Sequence, residues 1–304
     1  MNNTFSWLGL LLCLLVFTSC KDRHSTFTLE KVNAVYYWRT DLKLDSTERI
    51  FLQRHHINKV YCRYFDVVMS DDDATEPKPN ATISFSDTLP ENIELIPTVY
   101  ITEDCMHRPY QGLAKKIVKR IQQMNETNDI RHVSEIQIDC DYTSKSRNIY
   151  YQFLEEVKQA WGGTLSTTIR LHQLSMAIPP ADYGVLMVYN TGDPRKWKER
   201  RSTDGRLLEE GKNPVLDYRD VFPYLSKLDD YPLPLATAYP VYQWIRNIEG
   251  VRVEHTVEAA EILKVKQALE KERKDLKNAI ITYHLDKENI NRYKPKTYEE
   301  IYHH

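Results

Sequence analysis

Two carboxylates stand two residues apart in the segment EIQIDCDYTS, Glu135 to Ser144. Side chains alternate faces along a strand, so Gln137, Asp139 and Asp141 share one face of this run, and Ile136, Ile138 and Cys140 share the other. Neighbouring carboxyls can do acid–base work: a protonated one donates to a leaving oxygen, and the second raises its pKa so that the proton is held near neutrality. The competing reading is structural, with both acids capping the next helix or pairing with arginine. Ser144 is the more natural cap there, which leaves the acids for function.

Eight apolar, β-branched runs supply strands to carry such a site. They are Val32 to Thr40, Lys59 to Val68, Ile93 to Thr102, Glu135 to Thr143, Thr164 to His172, Tyr183 to Asn190, Leu233 to Trp244 and Asn278 to Asp286. Between them lie amphipathic segments. Ser46 to Ile57 opens on a Ser cap, and Gly112 to Glu126 follows. Lys145 to Trp161 has Ile149, Phe153 and Val157 at four-residue steps and ends at Gly162-Gly163, and Thr256 to Lys277 carries a solvated charged face. Strand–helix alternation implies parallel strands, and eight units in this length favour a closed (β/α)8 (TIM) barrel of the α/β class, a single domain over 29–304. Met69 to Asn92 is polar and interrupted by proline, and reads as a long loop over the barrel mouth with a small strand around Thr82 to Phe85.

In such a barrel the carboxyl ends of the strands face one concave mouth. Trp38 and Arg39 would arrive there from the first strand, Arg63 and Asp66 from the second, and Glu103 and Asp104 after the third. Arg170 and His172 come from the fifth, Tyr189 and Asn190 from the sixth, Tyr239, Tyr242 and Trp244 from the seventh, and His284 and Asp286 from the eighth. In the second, third and seventh strands a register shift of one residue would flip every side chain. Asp139 or Asp141 could also pair across the mouth with Glu103, Asp104 or Asp286; about 5 to 5.5 Å between carboxyls suits retaining hydrolysis and about 6.5 to 9.5 Å inverting. A divalent metal on Asp139, Asp141 and His284 has no ligand spacing behind it, so no metal and no cofactor is expected. There is no phosphate-binding glycine loop and no Ser or Cys nucleophile motif.

The balance of 41 basic and 43 acidic residues gives no basic surplus for nucleic acid. The first nineteen residues carry no charge, and Leu8 to Phe17 form an apolar run of export-signal length. FTSC followed by KDR resembles a bacterial lipobox, which implies a signal over 1–19, lipidation of Cys20, a tether over 20–28 and attachment to the cell envelope through a lipid in the membrane. An ordinary cleaved signal is the alternative. CKD also resembles the start of the surface-export signal of Bacteroidetes lipoproteins, pointing to the outer membrane. Cys62, Cys105 and Cys140 remain, without CxxC spacing; Cys62 and Cys140 lie in strands and read as buried, inert thiols, and one disulfide stays open.

IQIDCDYT resembles the fourth-strand signature of family 18 glycoside hydrolases, where alternating acids lead to a catalytic Glu, and LMVYN, Leu186 to Asn190, resembles their sixth-strand Met-x-Tyr-Asp/Asn. YYWR early, IQIDCDY in the middle and YPVYQW late are more similar still to an uncharacterised family of secreted bacterial barrel lipoproteins, over most of Val32 to Asp286. By position the resemblance implies Asp141 as acid, Asp139 as its orienting partner and Tyr189 as the hydroxyl that positions an N-acetyl group. It departs from the pattern in holding Asp where Glu is expected, or Thr143 in the alternative register, and Gln137 in place of an acid. The expectation is a glycan-acting envelope lipoprotein, a glycoside hydrolase using Asp141, Asp139 and Tyr189. Its oligosaccharide would be held by Trp38, Arg39, Arg63, Glu103, Asn190, Tyr239, Trp244 and His284. The rivals are a glycan-binding barrel that has lost its chemistry and a structural envelope protein with no ligand.

Overall fold

The computed structural model describes residues 27–69, 75–192, 200–201, 207–208, 212–248 and 251–304; the export signal and Cys20 lie outside them. Eight parallel strands close on themselves in chain order: β1 (Val32–Tyr37), β2 (Ile57–Val68), β3 (Glu94–Ile101), β4 (Glu135–Cys140), β5 (Thr164–Arg170), β6 (Tyr183–Met187), β7 (Leu235–Pro240) and β8 (Ala279–Tyr283). Closure is the pairing of β1 with both β2 and β8, so no barrel edge is left open. All eight strands expected from the sequence are present; β2 ends at Val68 as its apolar run does, and the other seven end one to four residues earlier than theirs.

The helices are less regular. α1 (Ser46–Arg54), α2 (Leu113–Thr127), α3 (Arg147–Trp161), a single turn α4 (Tyr218–Val221), α5 (Ala259–Glu272), a turn α6 (Lys287–Ile290) and α7 (Pro295–Ile301) cover the barrel. Each longer helix buries one stripe, as α2 does with Leu113, Ala114, Ile117, Val118 and Ile121. The cap of α1 is Asp45 rather than Ser46: its carboxylate accepts from the Glu48 amide, and Glu48 returns the bond to the Asp45 amide. Ser144 does not cap α3 either; Ser146 precedes that helix and binds Glu103 instead. Gly162 closes α3 at φ +76°, a left-handed conformation that glycine adopts without steric cost.

The segment after β2 is more ordered than a loop. Lys78–Asn80 pairs antiparallel with Asp66–Val68, and Ser84–Phe85 pairs in parallel with Asp41–Leu42. The seventh run is cut at Pro240: Gln243–Ile248 turns away and forms an antiparallel hairpin with Val251–Thr256. The three cysteines are free and buried, and burial raises their thiol pKa values, that of Cys105 to about 11.

Candidate functional site

The inward face of β4 carries Glu135, Gln137 and Asp139, and each meets a polar group of a neighbouring strand. Glu135 accepts from Ser166 at 2.7 Å, and Gln137 accepts from Tyr36 at 2.8 Å. Asp139 accepts from Thr168 at 2.6 Å. The barrel interior is therefore a stack of satisfied polar layers with Asp139 uppermost, at the level where strands give way to loops. Asp139 is buried, and the loss of water pushes its carboxyl up to about 6, against the pull of Arg170 and with help from Asp141.

Asp141 is elsewhere. The strand ends at Cys140, so Asp141 leaves the pleat, is exposed, and accepts from Nε of Arg170 at 2.5 Å. The expected shared inward face of the two acids holds for Gln137 and Asp139 but stops short of Asp141. A carboxylate bonded to guanidinium is an acceptor, which is the opposite of what a proton donor needs.

Aromatic rings fill the centre of the mouth. Tyr36 and Trp38 continue the inward face of β1, Tyr283 ends β8, and Tyr189 and Tyr242 follow β6 and β7. Tyr283 stacks on Tyr189 with centroids 4.8 Å apart and touches Trp38, Tyr36 and Tyr242 at 5.7, 5.6 and 5.4 Å. Arg63 lies over the Trp38 ring at 5.6 Å and is held by Asp66, whose Oδ1 accepts from Nε at 2.7 Å. Asn190 takes a left-handed φ of +52°, and its side-chain oxygen accepts from the Tyr242 hydroxyl at 2.5 Å. Such strain in a non-glycine residue persists where its surroundings over-determine it, and it clusters at binding sites.

Beside the rings a cleft of about 270 Å³ opens between the exits of β4, β5 and β6, walled by Asp141, Arg170, His172, Tyr189, Asn190 and Tyr224 among others. Two buried donors on this wall, Nη1 of Arg170 and the Tyr189 hydroxyl, have no partner. Burial depresses the His172 pKa, and Arg170 adds to the effect.

Several expected residues sit outside this arrangement. Tyr239 is fully buried on the outward face of β7, alongside Thr237, whose hydroxyl meets the Leu276 carbonyl. One step of register separates it from the mouth. Glu103 accepts from Thr143 at 2.8 Å and Ser146 at 2.9 Å, so it ties β3 to the entry of α3, and these bonds lower its pKa. Asp104 binds its neighbours Thr102 and Cys105. Asp286 caps α6 through the Asn289 amide at 2.8 Å and lies 3.4 Å from His284, so neither it nor Glu103 is an acid free to face Asp139 across the mouth. Arg39 is bound to buried Glu48 at 2.9 Å and to the Lys43 carbonyl at 3.0 Å. Trp244 lies on the hairpin after β7, cross-strand from His255. Trp38, Arg63, Asn190 and Tyr189 are at the mouth, and His284 joins its rim, half-buried at 5.2 Å from Tyr283 with its pKa lowered by burial. Among the described residues no group of three His, Cys, Asp or Glu is placed to hold a metal ion, so Asp139, Asp141 and His284 do not form a ligand set.

Tyr36, Tyr100, Thr168 and Tyr283 belong to the site and were not singled out in the sequence. Tyr100 pairs in register with Asp139, and its hydroxyl pKa is raised to about 12, chiefly by burial and then by the charges of Asp141 and Asp139. Period-two counting back from Trp38 finds Tyr36, but a tyrosine inside a strand looks like core.

No protein-family model matches the chain, and no curated protein matches it in sequence. Among solved structures it is similar in fold to the spore cortex-lytic enzyme SleL of Bacillus cereus (TM-score 0.55, 15% identity, 90% of this chain and 74% of that one). It is also similar to a chitinase from Bacteroides thetaiotaomicron (0.56, 10%, 90% and 95%) and to a GH113 beta-1,4-mannanase (0.52, 10%, 91% and 98%). At these identities the likeness is one of fold: the chain is a (β/α)8 barrel that shares its architecture with those three enzymes.

Proposed function

We propose that this barrel acts on glycans by binding them at the carboxyl ends of its strands, over the cleft between Arg170 and Tyr189. The observation that carries the reading is the pair of unpartnered donors on that wall, Nη1 of Arg170 and the hydroxyl of Tyr189. A buried donor without a partner costs about 1–3 kcal/mol, so a ligand oxygen placed there gains more than it would from an already satisfied wall. Aromatic floors with a few fixed polar groups suit sugars, which present an apolar ring face and a hydroxyl rim. The barrel's likeness in fold to a chitinase and a mannanase supports the choice of ligand class. The lipobox-like FTSC supports attachment to the cell envelope through a lipid on Cys20, and the CKD that begins at that cysteine supports the outer membrane as its place.

Hydrolysis is the second reading, and Asp139 is what favours it. Its proton is held up to about 6, it stands at the top of the polar stack, and Asp141 is occupied by Arg170. In this reading Asp139 gives its proton to the glycosidic oxygen as that bond breaks, the substrate's own 2-acetamido oxygen attacks the anomeric carbon while Tyr189 and Arg170 hold it, and water then opens the cyclic intermediate, so that only N-acetylated, chitin-type substrates react. Asp141 then keeps Arg170 in place and does not touch the proton.

Calorimetric titration with chitin- and mannan-type β-1,4 oligosaccharides tests both. Arg170→Gln is expected to weaken binding about tenfold to a hundredfold, the loss of a charged hydrogen bond worth ~1.5–3 kcal/mol. Absence of binding to every oligosaccharide tried would end the glycan reading. Release of reducing ends by the wild type and not by Asp139→Asn, with affinity retained, would establish hydrolysis over binding alone.

A further inference from the structure

The described chain enters the barrel through its amino-terminal face, the floor opposite the mouth. Phe27 stacks on Tyr183, the first residue of β6, with ring centroids 5.4 Å apart. The Tyr183 hydroxyl reaches inward to Glu135 at the start of β4 and to Tyr61 of β2, so this ring pair lies across the middle of the floor. From Phe27 the backbone crosses that face towards β1: the Leu29 carbonyl accepts from Asn278, which precedes β8, and β1 begins at Val32.

Cys20 is seven residues before Phe27. Seven residues span at most ~25 Å, whatever their conformation. The eight residues of β3, Glu94–Ile101, rising ~3.3 Å each at the ~36° tilt of such barrels, already separate floor from mouth by about 20 Å without any loop. A chain starting at the middle of the floor must also pass outside the helices, each about 10 Å across, before it can turn towards the mouth. That path exceeds the reach of seven residues. On the loops that enter the strands at the floor, Lys31, Arg131 and Lys274 are exposed among Glu91, Asp129 and Asp230. Charges of both signs suit hydrated headgroups and not hydrocarbon.

Resting on the acylation of Cys20 proposed above, we propose that the barrel stands on a lipid surface on its amino-terminal face, with the mouth turned away from the membrane. The acyl chains supply the attachment, and the short reach from Cys20 to Phe27 selects the face that meets the headgroups. The Arg170 cleft then opens onto the aqueous phase. Its ligand is a saccharide in solution or on a facing surface, and not one linked to the lipid of the supporting membrane.

The test is energy transfer from the acylated full chain to a headgroup-labelled lipid in phosphatidylcholine vesicles, with acylation of Cys20 established by mass. Donor dyes are placed at the floor on Glu91→Cys and Lys274→Cys, and at the mouth on Lys145→Cys and Lys287→Cys, four exposed positions beside different strands. Cys62, Cys105 and Cys140 are buried and acylation occupies Cys20, so the added thiol takes the dye. Both floor dyes are expected to lie nearer the lipid than both mouth dyes, by about 20 Å, the height of the barrel. Equal transfer from floor and mouth, or greater transfer from the mouth, in an acylated chain would overturn the orientation while leaving the lipid anchor intact. Transfer between floor dyes on neighbouring copies would give that face to a second copy of the chain and overturn it too. A Cys20 that carries no lipid would remove anchor and orientation together, and the glycan reading would stand.

Discussion

At the scale of single residues, two acids of the same type two positions apart have different environments because one is in the strand and the other is not. Asp139 is buried beside Tyr100, its in-register neighbour on β3, and bonded to Thr168, whereas Asp141 is solvated and ion-paired. Burial means that folded Asp139 binds its proton more tightly, at about 6, than an ordinary carboxyl near 3.8. Between those two values the folded state carries the extra proton, so this residue's contribution to stability falls as pH rises through the window. Asp139→Asn keeps a group that can accept from Thr168 and removes the titration. Melting temperatures measured from about pH 4 to about pH 7 are expected to fall less steeply for that variant than for the wild type; parallel profiles would mean that the buried carboxyl does not titrate there. The alternation of IQIDC was legible in the sequence, and so was the inward face. What hid the difference between the acids was the strand's last residue, Cys140, since a boundary depends on where the barrel lets go of the chain and not on the local pattern.

At the scale of elements, the strands were readable because each is a buried apolar run. The gaps between them were harder to read because they depart from the simple repeat. After β5 a short 3-10 turn, Leu171–Ser175, stands where a helix would, and it brings His172 to the cleft. Tyr239 shows the cost of an unknown register: Ala236 and Ala238 lie on the opposite face of β7 from Thr237 and Tyr239, a choice that a run of apolar residues does not reveal. β6 depends on a packing feature that its sequence alone does not explain. A side chain at Gly184 would place its Cβ 2.6 Å from Ile169 and 2.9 Å from Leu235 on the flanking strands. Gly184→Ala is therefore expected to lose about 1–3 kcal/mol through overpacking, read as a lower urea midpoint with an unchanged m-value. A loss below ~0.5 kcal/mol, the level of a neutral surface change, would show that Ile169 and Leu235 move aside freely. Because β6 leads directly into Tyr189 and Asn190, the same variant is expected to weaken oligosaccharide binding if the strand shifts to make room.

Across the whole molecule the two ends of the barrel have separate duties, and both are polar. At the mouth, two buried donors lack partners. At the floor, the central charges are paired: Lys59 bonds Glu135 at 2.9 Å and Glu94 at 3.3 Å, Glu135 also accepts from Ser166 and Tyr183, and Tyr61 meets the Tyr183 hydroxyl. Phe27 stacks on Tyr183 from beyond the barrel, so the first described residue of the chain closes this end. Glu135 belongs to the same segment that drew attention to Asp139, yet its position at the start of β4 makes it a structural acid, in keeping with a barrel whose amino-terminal face carries stability. Lys59→Met would leave Glu135 buried beside hydroxyls without its cation. The expected loss is near the lower end of the ~3–5 kcal/mol that follows breaking a buried pair, since Lys59 keeps some contact with water. Lys59→Met combined with Glu135→Gln removes the stranded charge and is expected to recover a large part of that loss. Neither change reaches Arg170, Tyr189 or Trp38, so urea unfolding should register both variants while oligosaccharide titration registers neither. Arg170→Gln should lower affinity about tenfold to a hundredfold and cost less stability than Lys59→Met, because the partner it leaves behind, Asp141, is exposed to water. A floor variant that lowered affinity as much as stability would mean that the polar stack from Glu135 through Gln137 to Asp139 couples the two ends, and that the mouth cannot be treated apart from the floor beneath it.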